Sequence, residues 1–145
     1  MNILVCTDGS EMSSKAVRKA AAISSFLKDS EVSVLYVHQP IQVPPPYGAG
    51  YTPTAVPAQV DEKVRDAGKK VLEQAAEILE DKKVNFKTLL LDGHPSSAIL
   101  EQAEDDDYDL LVVGSKGRTG LQRVLMGSVS SAVVQGAKCD VLVVK

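Results

Sequence analysis

The stretch from Leu110 to Ser130 reads LLVVGSKGRTGLQRVLMGSVS and begins with a run of apolar, largely β-branched residues. Such a run is typical of a strand that is covered on both faces of a parallel sheet. Glycine follows the strand directly, where a missing Cβ lets the backbone approach a ligand closely. Gly127-Ser128 then begins a helix, whose first N–H groups have no intrahelical partner and attract anions. The stretch therefore predicts a strand, a loop containing Gly114, Gly117 and Gly120, and a helix N-terminus suited to phosphate.

The rest of the chain repeats this alternation of strand and helix. Further apolar runs occur at Ile3–Cys6, Val32–Val37, Phe86–Leu91 and Val141–Val144. Four segments with helical period separate them. The first is capped by Ser10 or Ser13, and its apolar face reaches Leu27. The others span Val60–Leu79, start at Pro95, and run from Gly127 to Gly136. Five strands alternating with four helices predict an open, mostly parallel α/β sheet with helices on both faces.

Length and composition predict one domain that spans residues 1–145. The chain has 145 residues, of which 44% are hydrophobic, enough for one ordinary core. Residues 39–57 interrupt the rhythm, since they hold all but one of the seven prolines together with Gly48 and Gly50. We expect a Pro/Gly-rich loop there, and loops of that length are usually mobile or functional.

Charge and motif content exclude several classes of function. The 16 basic and 19 acidic residues give a net charge of −3, which argues against a nucleic-acid or membrane partner. The first residues lack a secretory signal pattern and no apolar run approaches bilayer length, so a cytoplasmic protein is expected. Cys6 and Cys139 are expected to be reduced, and no spacing of His and Cys identifies metal ligands. Neither a Walker A loop nor a GxGxxG fingerprint is present.

The spacing Gly114-x2-Gly117-x9-Gly127-Ser128 resembles the nucleotide-binding signature of the universal stress protein family, in its ATP-binding subclass. The resemblance extends over the chain: ILVCTDGSEMSSKAVRKA looks like the family's opening strand and helix, GHPSSAIL like the entry to its third helix, and CDVLVVK like its last strand. It implies a Rossmann-like fold of the adenine nucleotide α-hydrolase type. Its five-stranded parallel sheet would have the order 3-2-1-4-5 and two helices on each face.

The resemblance also implies where a nucleotide binds. ATP would lie across the carboxyl ends of the first and fourth strands, with Thr7 and Asp8 on the ribose and adenine side and the backbone of Val37 at the adenine edge. Gly114 and Gly117 would hold the ribose and α-phosphate. The β- and γ-phosphates would be cradled by Gly127, Ser128, Val129 and Ser130, with charge supplied by Lys116, Arg118 or Arg123.

Simpler structural explanations exist for several of these residues. Gly114 alone would fit a strand-end turn, and Ser128 alone would fit a helix N-cap. Asp8 before Gly9-Ser10 would equally shape a turn or cap the first helix. His38 follows Val37 and could lie by the base, but a strand-end histidine of this kind is more often at the surface.

Three functions remain open: a nucleotide-binding module, an ATP hydrolase and a scaffold without a nucleotide. The first is an ATP-binding stress-response or signalling module, with Mg²⁺ bound through the phosphates, an unidentified protein partner and a homodimer built through the last strand. The alternative is a slow or partner-activated ATP hydrolase, although no general base is evident and no catalytic residue is predicted. A scaffold that binds no nucleotide would require the glycine signature to be incidental.

Overall fold

The computed structural model describes residues 1–40, 42–43, 54–55, 58–117 and 126–145. The five long strands are β1 (Asn2–Cys6), β2 (Glu31–His38), β5 (Asn85–Asp92), β6 (Leu110–Gly114) and β7 (Asp140–Val144). Two short strands, β3 (Gln42–Val43) and β4 (Thr54–Ala55), lie between β2 and the second helix. The helices are α1 (Glu11–Ser25), α2 (Ala58–Asp81), α3 (Pro95–Asp105) and α4 (Ser128–Gly136).

The long strands form one parallel sheet in the order β5-β2-β1-β6-β7. Counted along the chain, that is the order 3-2-1-4-5, and the predicted fold class is confirmed. β1 pairs with β2 on one side and with β6 on the other, so the connections leaving β1 and β6 diverge. Ligands of open α/β sheets bind at this switch point, beyond the carboxyl ends of the strands.

The two faces of the sheet are each covered by two helices. Ile3 and Val5 of β1 pack with α1 and α2 in one buried cluster, whereas Leu4 packs with α3 and α4 in the other. Successive side chains of a strand point to opposite faces, so an uninterrupted apolar strand supplies both clusters. The continuous apolar runs of the sequence have this physical origin.

Local signals set the starts of two helices. The Ser10 side chain caps α1 by accepting a hydrogen bond from the Ser13 N–H at 3.2 Å. Pro95 occupies the first turn of α3, as its fixed φ favours. One expectation was wrong: α1 ends before Leu27, which lies outside the helix and is partly exposed. In the turn that follows, the Ser30 hydroxyl oxygen lies 3.1 Å from the Ser24 carbonyl and 3.1 Å from the Leu27 carbonyl.

Part of the Pro/Gly-rich segment 39–57, expected to be a loop, forms a short antiparallel ladder. Within it, β3 and β4 pair antiparallel, with Gln42 opposite Ala55 and Val43 opposite Thr54. The sequence reasoning missed this ladder, because two-residue strands carry too little periodicity to detect. The remaining positions from 41 to 57, and residues 118–125 with Gly120, Arg118 and Arg123, lie outside the described residues.

Both cysteines are free, and β6 lies between the two strands at whose ends they are found. Cys6 ends β1, whereas Cys139 precedes β7. Within the described ranges, none of the helices is long and apolar enough to cross a bilayer.

Candidate functional site

A cavity of about 350 Å³ opens at the switch point of the sheet. The carboxyl ends of β1, β2 and β6 form its floor, and the N-terminal residues of α3 and α4 reach its rim. The lining includes every residue that the sequence assigned to a nucleotide site: Thr7, Asp8, Val37, Gly114, Gly117, Gly127, Ser128, Val129 and Ser130. The fold thus brings together residues from four separate parts of the chain.

The cavity also has walls that the sequence reasoning did not assign. Lys116, named among the three candidate cations, lies in the lining. The unassigned residues are Cys6, Ser13, Leu35, Gln39, Pro95, Ile99 and Val113. A strand periodicity of two could have identified some of them, because Leu35, Val37 and Gln39 alternate along one face of β2 and its extension. Pro95 and Ile99 needed the tertiary structure, since they belong to α3.

Hydrogen bonds fix the loop that follows β1. The Thr7 N–H donates to the Leu35 carbonyl at 2.9 Å, which extends the β1–β2 ladder into the loop. The Ser13 hydroxyl donates to the Ser10 carbonyl at 2.9 Å and lies 3.1 Å from the Thr7 hydroxyl. Thr7 Oγ1 also accepts from the Gly9 N–H at 3.3 Å. These contacts occupy the Thr7 hydroxyl and make the loop a preformed edge of the cavity.

Asp8 lines the cavity and shapes the turn before α1, which is the structural role that the sequence offered for it. Its Oδ1 accepts a hydrogen bond from the Ser10 N–H at 3.0 Å, the geometry of an Asx turn. Its Oδ2 approaches Gly117 so closely that a Cβ at position 117 would lie 2.7 Å from it. Asp8 therefore shapes the turn before α1 and also connects β1 to the loop after β6 within the cavity wall.

Gly114 has a packing reason to be glycine. A Cβ at this position would lie 2.9 Å from the Met12 carbonyl carbon and 3.0 Å from the Ser13 nitrogen, both of which are backbone atoms. Helix α1 could accommodate a side chain there only by moving away from β6. The close approach of two backbones explains this glycine without any ligand.

Gly127 has no such reason. It is the N-cap of α4 with φ −74° and ψ 164°, a conformation open to any residue, and the nearest atoms to an added Cβ lie at 3.6 Å. Its own N–H donates to the Ser115 carbonyl at 2.7 Å. Ser128, Val129 and Ser130 form the first turn of α4, so their N–H groups lack intrahelical acceptors. The partial positive charge of this helix end meets the cavity at Gly127.

Ser130 lines the cavity but its hydroxyl is engaged inside the protein. The side chain is buried, and Oγ lies 3.1 Å from the Ser115 carbonyl and 3.0 Å from the Gly127 carbonyl. A hydroxyl has one proton, so it cannot also donate to a phosphate while it makes these bonds. The Ser130 hydroxyl therefore holds α4 against the loop after β6, and the backbone N–H of Ser130 is the group left for the predicted phosphate cradle.

His38 is not a surface residue, contrary to the sequence-based expectation. Its side chain is only 1% exposed, and Nε2 lies 2.9 Å from Asp61 Oδ1 in the first turn of α2. The partner could not be found from sequence because 23 residues separate the two positions.

Ionisable groups in the cavity are few. Burial raises the pKa of the Cys6 thiol to about 12, so it stays protonated at neutral pH. Asp8 is the only carboxylate among the described residues of the lining. In the part of the chain that the structure describes, no three His, Cys, Asp or Glu side chains converge as they would around a metal ion.

The sheet order, the switch-point cavity and the helix N-terminus at its rim define a Rossmann-like α/β domain with a candidate ligand site at the switch point. The model of the universal stress protein family matches residues 1–145, and the chain belongs to that family.

Individual relatives agree with this assignment. A universal stress protein of Methanocaldococcus jannaschii is 36% identical over 99% of this chain and 81% of its own length. The universal stress protein YxiE of Bacillus subtilis is 35% identical over 99% and 97%. The solved structure of UspA from Lactobacillus plantarum superposes with a TM-score of 0.83 at 27% identity, covering 100% of this chain and 97% of that one.

Some structural neighbours contain adenine nucleotides. Universal stress proteins from Arabidopsis thaliana with AMP and from Archaeoglobus fulgidus with dAMP match at TM-scores of 0.66 and 0.70, and one with cAMP at 0.68. Identity to these three is 22–24%, so the likeness is one of fold.

Proposed function

We propose that this universal stress protein binds ATP in the switch-point cavity and acts as a nucleotide-dependent module in a stress response or signalling. The observation that carries the proposal is Gly127, a glycine that neither backbone conformation nor packing requires, at the helix N-terminus on the cavity rim. A phosphate needs such a position, because unpartnered N–H groups must approach it without a side chain between them.

The rest of the cavity fits a nucleoside. Its volume of about 350 Å³ falls at the lower end of the range for small-molecule sites, roughly 300 to 1,000 Å³. Leu35, Val37 and Ile99 supply an apolar wall suited to a purine ring. The adenine nucleotides in neighbouring structures of the same fold agree with this choice of base.

The phosphate end requires positive charge as well as N–H donors. Lys116 follows β6 in the lining and is the described cation best placed to act there. Mg²⁺ would join through the phosphate oxygens, which are the ligands it prefers in nucleotide sites. Its contribution would be to neutralise phosphate charge, while the α4 backbone orients the phosphates.

Slow ATP hydrolysis is the second candidate, and the cavity favours binding over turnover. Hydrolysis needs a group that orients or deprotonates the attacking water within hydrogen-bond reach. The one carboxylate in the described lining, on Asp8, uses Oδ1 to accept from the Ser10 N–H. It lies with β1, on the ribose side of the proposed pose, and α4 occupies the phosphate side.

The test is to identify what the protein binds. Purified protein is denatured, the released small molecules are identified by mass spectrometry, and ligand-free protein is titrated with ATP and with GTP by calorimetry. We expect an adenine nucleotide in the released fraction and saturable binding of ATP in preference to GTP. Absence of both retained nucleotide and ATP binding would favour the scaffold and refute the proposal.

A further inference from the structure

The end of β2 carries a buried histidine between two residues that line the cavity. Val37 and Gln39 belong to the lining, and His38 lies between them. Side chains alternate along a strand, so the His38 ring projects to the opposite face of the sheet, toward α2. His38 therefore does not touch the cavity contents, but its backbone forms part of the segment that does.

His38 is held in place from two directions. Its Nε2 is 2.9 Å from Asp61 Oδ1, and its carbonyl accepts from the Gly93 N–H at 2.9 Å. An ionised carboxylate only accepts hydrogen bonds, so Nε2 carries the proton and donates. The ring is 1% exposed whereas the Asp61 side chain is 39% exposed, so the contact joins a buried donor to an acceptor that water can reach.

Helix α2 follows the segment that leaves β2, and Asp61 lies in its first turn. The contact therefore closes the chain between the end of β2 and the start of α2. One turn further along α2, Arg65 pairs with Asp92 of β5 at 2.9 Å, and Asp92 is the register partner of His38. The second pair fastens the same helix to the neighbouring strand, but neither of its members belongs to β2.

We propose that His38 is a positioning residue for the nucleotide: its bond to Asp61 fixes the Val37–Gln39 backbone as the base-side wall of the cavity. The inference rests on the proposed function, since it assumes that an adenine base occupies that wall. It deepens that function by linking the start of α2, on one face of the sheet, to ligand affinity on the other. The bond acts on the base, while Gly127 and the α4 backbone act on the phosphates.

The experiment compares two ligands, adenosine and ATP, because adenosine has the base and ribose but no phosphate. Dissociation constants are measured by calorimetry for ATP and by NMR titration for adenosine. The variants are His38→Leu, which removes the donor at similar volume, and His38→Gln, which keeps an N–H donor at the end of a side chain of comparable reach. Asp61→Ala removes the acceptor from the other side, and Arg65→Gln is the matched control.

We expect His38→Leu and Asp61→Ala to weaken adenosine and ATP by the same factor, about tenfold, the scale of one charge-assisted hydrogen bond. His38→Gln should recover most of the affinity, and Arg65→Gln should bind both ligands as the unmodified protein does. Because Asp61 is partly exposed, its alanine variant tests the proposal even if His38→Leu does not fold.

Unchanged affinity for both ligands in a folded Asp61→Ala variant would overturn the proposal. A loss confined to ATP would also overturn it, because the bond would then act on the phosphate end. An equal loss in the Arg65→Gln control would reduce His38 to general support of α2. Failure of the proposed function has a different signature: the unmodified protein would bind neither ligand.

Discussion

Two glycines of the same cavity should respond oppositely to the same substitution. Gly114→Ala is expected to destabilise the fold, because the added Cβ would lie 2.9–3.0 Å from backbone atoms of Met12 and Ser13. Gly127→Ala is expected to leave the fold intact, because its Cβ would meet the nearest atoms only at 3.6 Å. It is expected to impair ATP binding, because the methyl group would hold the phosphate off the α4 N–H groups. The comparison separates a glycine that the fold requires from one that we assign to the ligand.

The magnitudes follow from the contacts. Overpacking of the Gly114 kind costs about 1–3 kcal/mol, which lowers the Tm of a domain this size by about 3–10 °C. At Gly127, alanine is a poorer N-cap than glycine by roughly 1 kcal/mol, and its smaller unfolded-state entropy offsets about 0.4–1 kcal/mol. The net change in stability should therefore be near zero. A methyl group that holds the phosphate off the α4 N–H groups should weaken ATP at least about tenfold, or 1.4 kcal/mol.

The assay measures two quantities on each variant. Thermal unfolding without ligand gives the change in stability, and calorimetry at fixed Mg²⁺ gives the dissociation constants of ATP. Adenosine serves as the second ligand, since Gly127→Ala should not alter its binding. Calorimetry is run at a temperature where both variants are folded.

Unchanged ATP affinity in Gly127→Ala would refute the assignment of phosphate to the α4 N-terminus. A large loss of stability in that variant would instead show that the glycine belongs to the fold. If Gly114→Ala proved as stable as the unmodified protein, the argument from backbone contact with α1 would be wrong.

Three further predictions concern the molecule as a whole. Turnover of ATP by purified protein should fall far below the roughly 10 per second of a median enzyme, and robust multiple turnover would favour a hydrolase. Thiol titration should find both cysteines free in denatured, non-reduced protein, whereas Cys6 in the native protein should resist alkylation at pH 8 because burial raises its pKa to about 12. Rapid native labelling of Cys6 would contradict that protonation state. β7 lies at the edge of the five-stranded sheet with an apolar Val141–Val144 run, so we expect a homodimer by light scattering, and a monomer at tens of micromolar would exclude it.

Strand positions and the ends of several helices followed from the sequence, because they depend on interactions between near neighbours. β-branched runs define buried strands, the Ser10 hydroxyl finds an N–H three residues away, and Pro95 fits a first helical turn without any partner. The strand order came from the family resemblance, and the structure confirmed it.

The sequence did not show why particular residue types occupy the site positions. The resemblance named Gly114 and Gly127 together, yet only the structure separates the two by the backbone contact that one makes and the other lacks. Only the structure shows that the Ser130 hydroxyl points into the protein, toward the carbonyls of Ser115 and Gly127.

The sequence by itself determined the alternation of elements, the glycine spacing and the helix N-terminus, because each of these depends on residues a few positions apart. The tertiary structure alone decided that Ile99 lines the cavity and that His38 is buried against Asp61. Those contacts join residues that are distant along the chain, and they form only when the helices pack on the two faces of the sheet. The physical reason is that burial and pairing depend on distances in space, which a linear pattern of residue types does not contain.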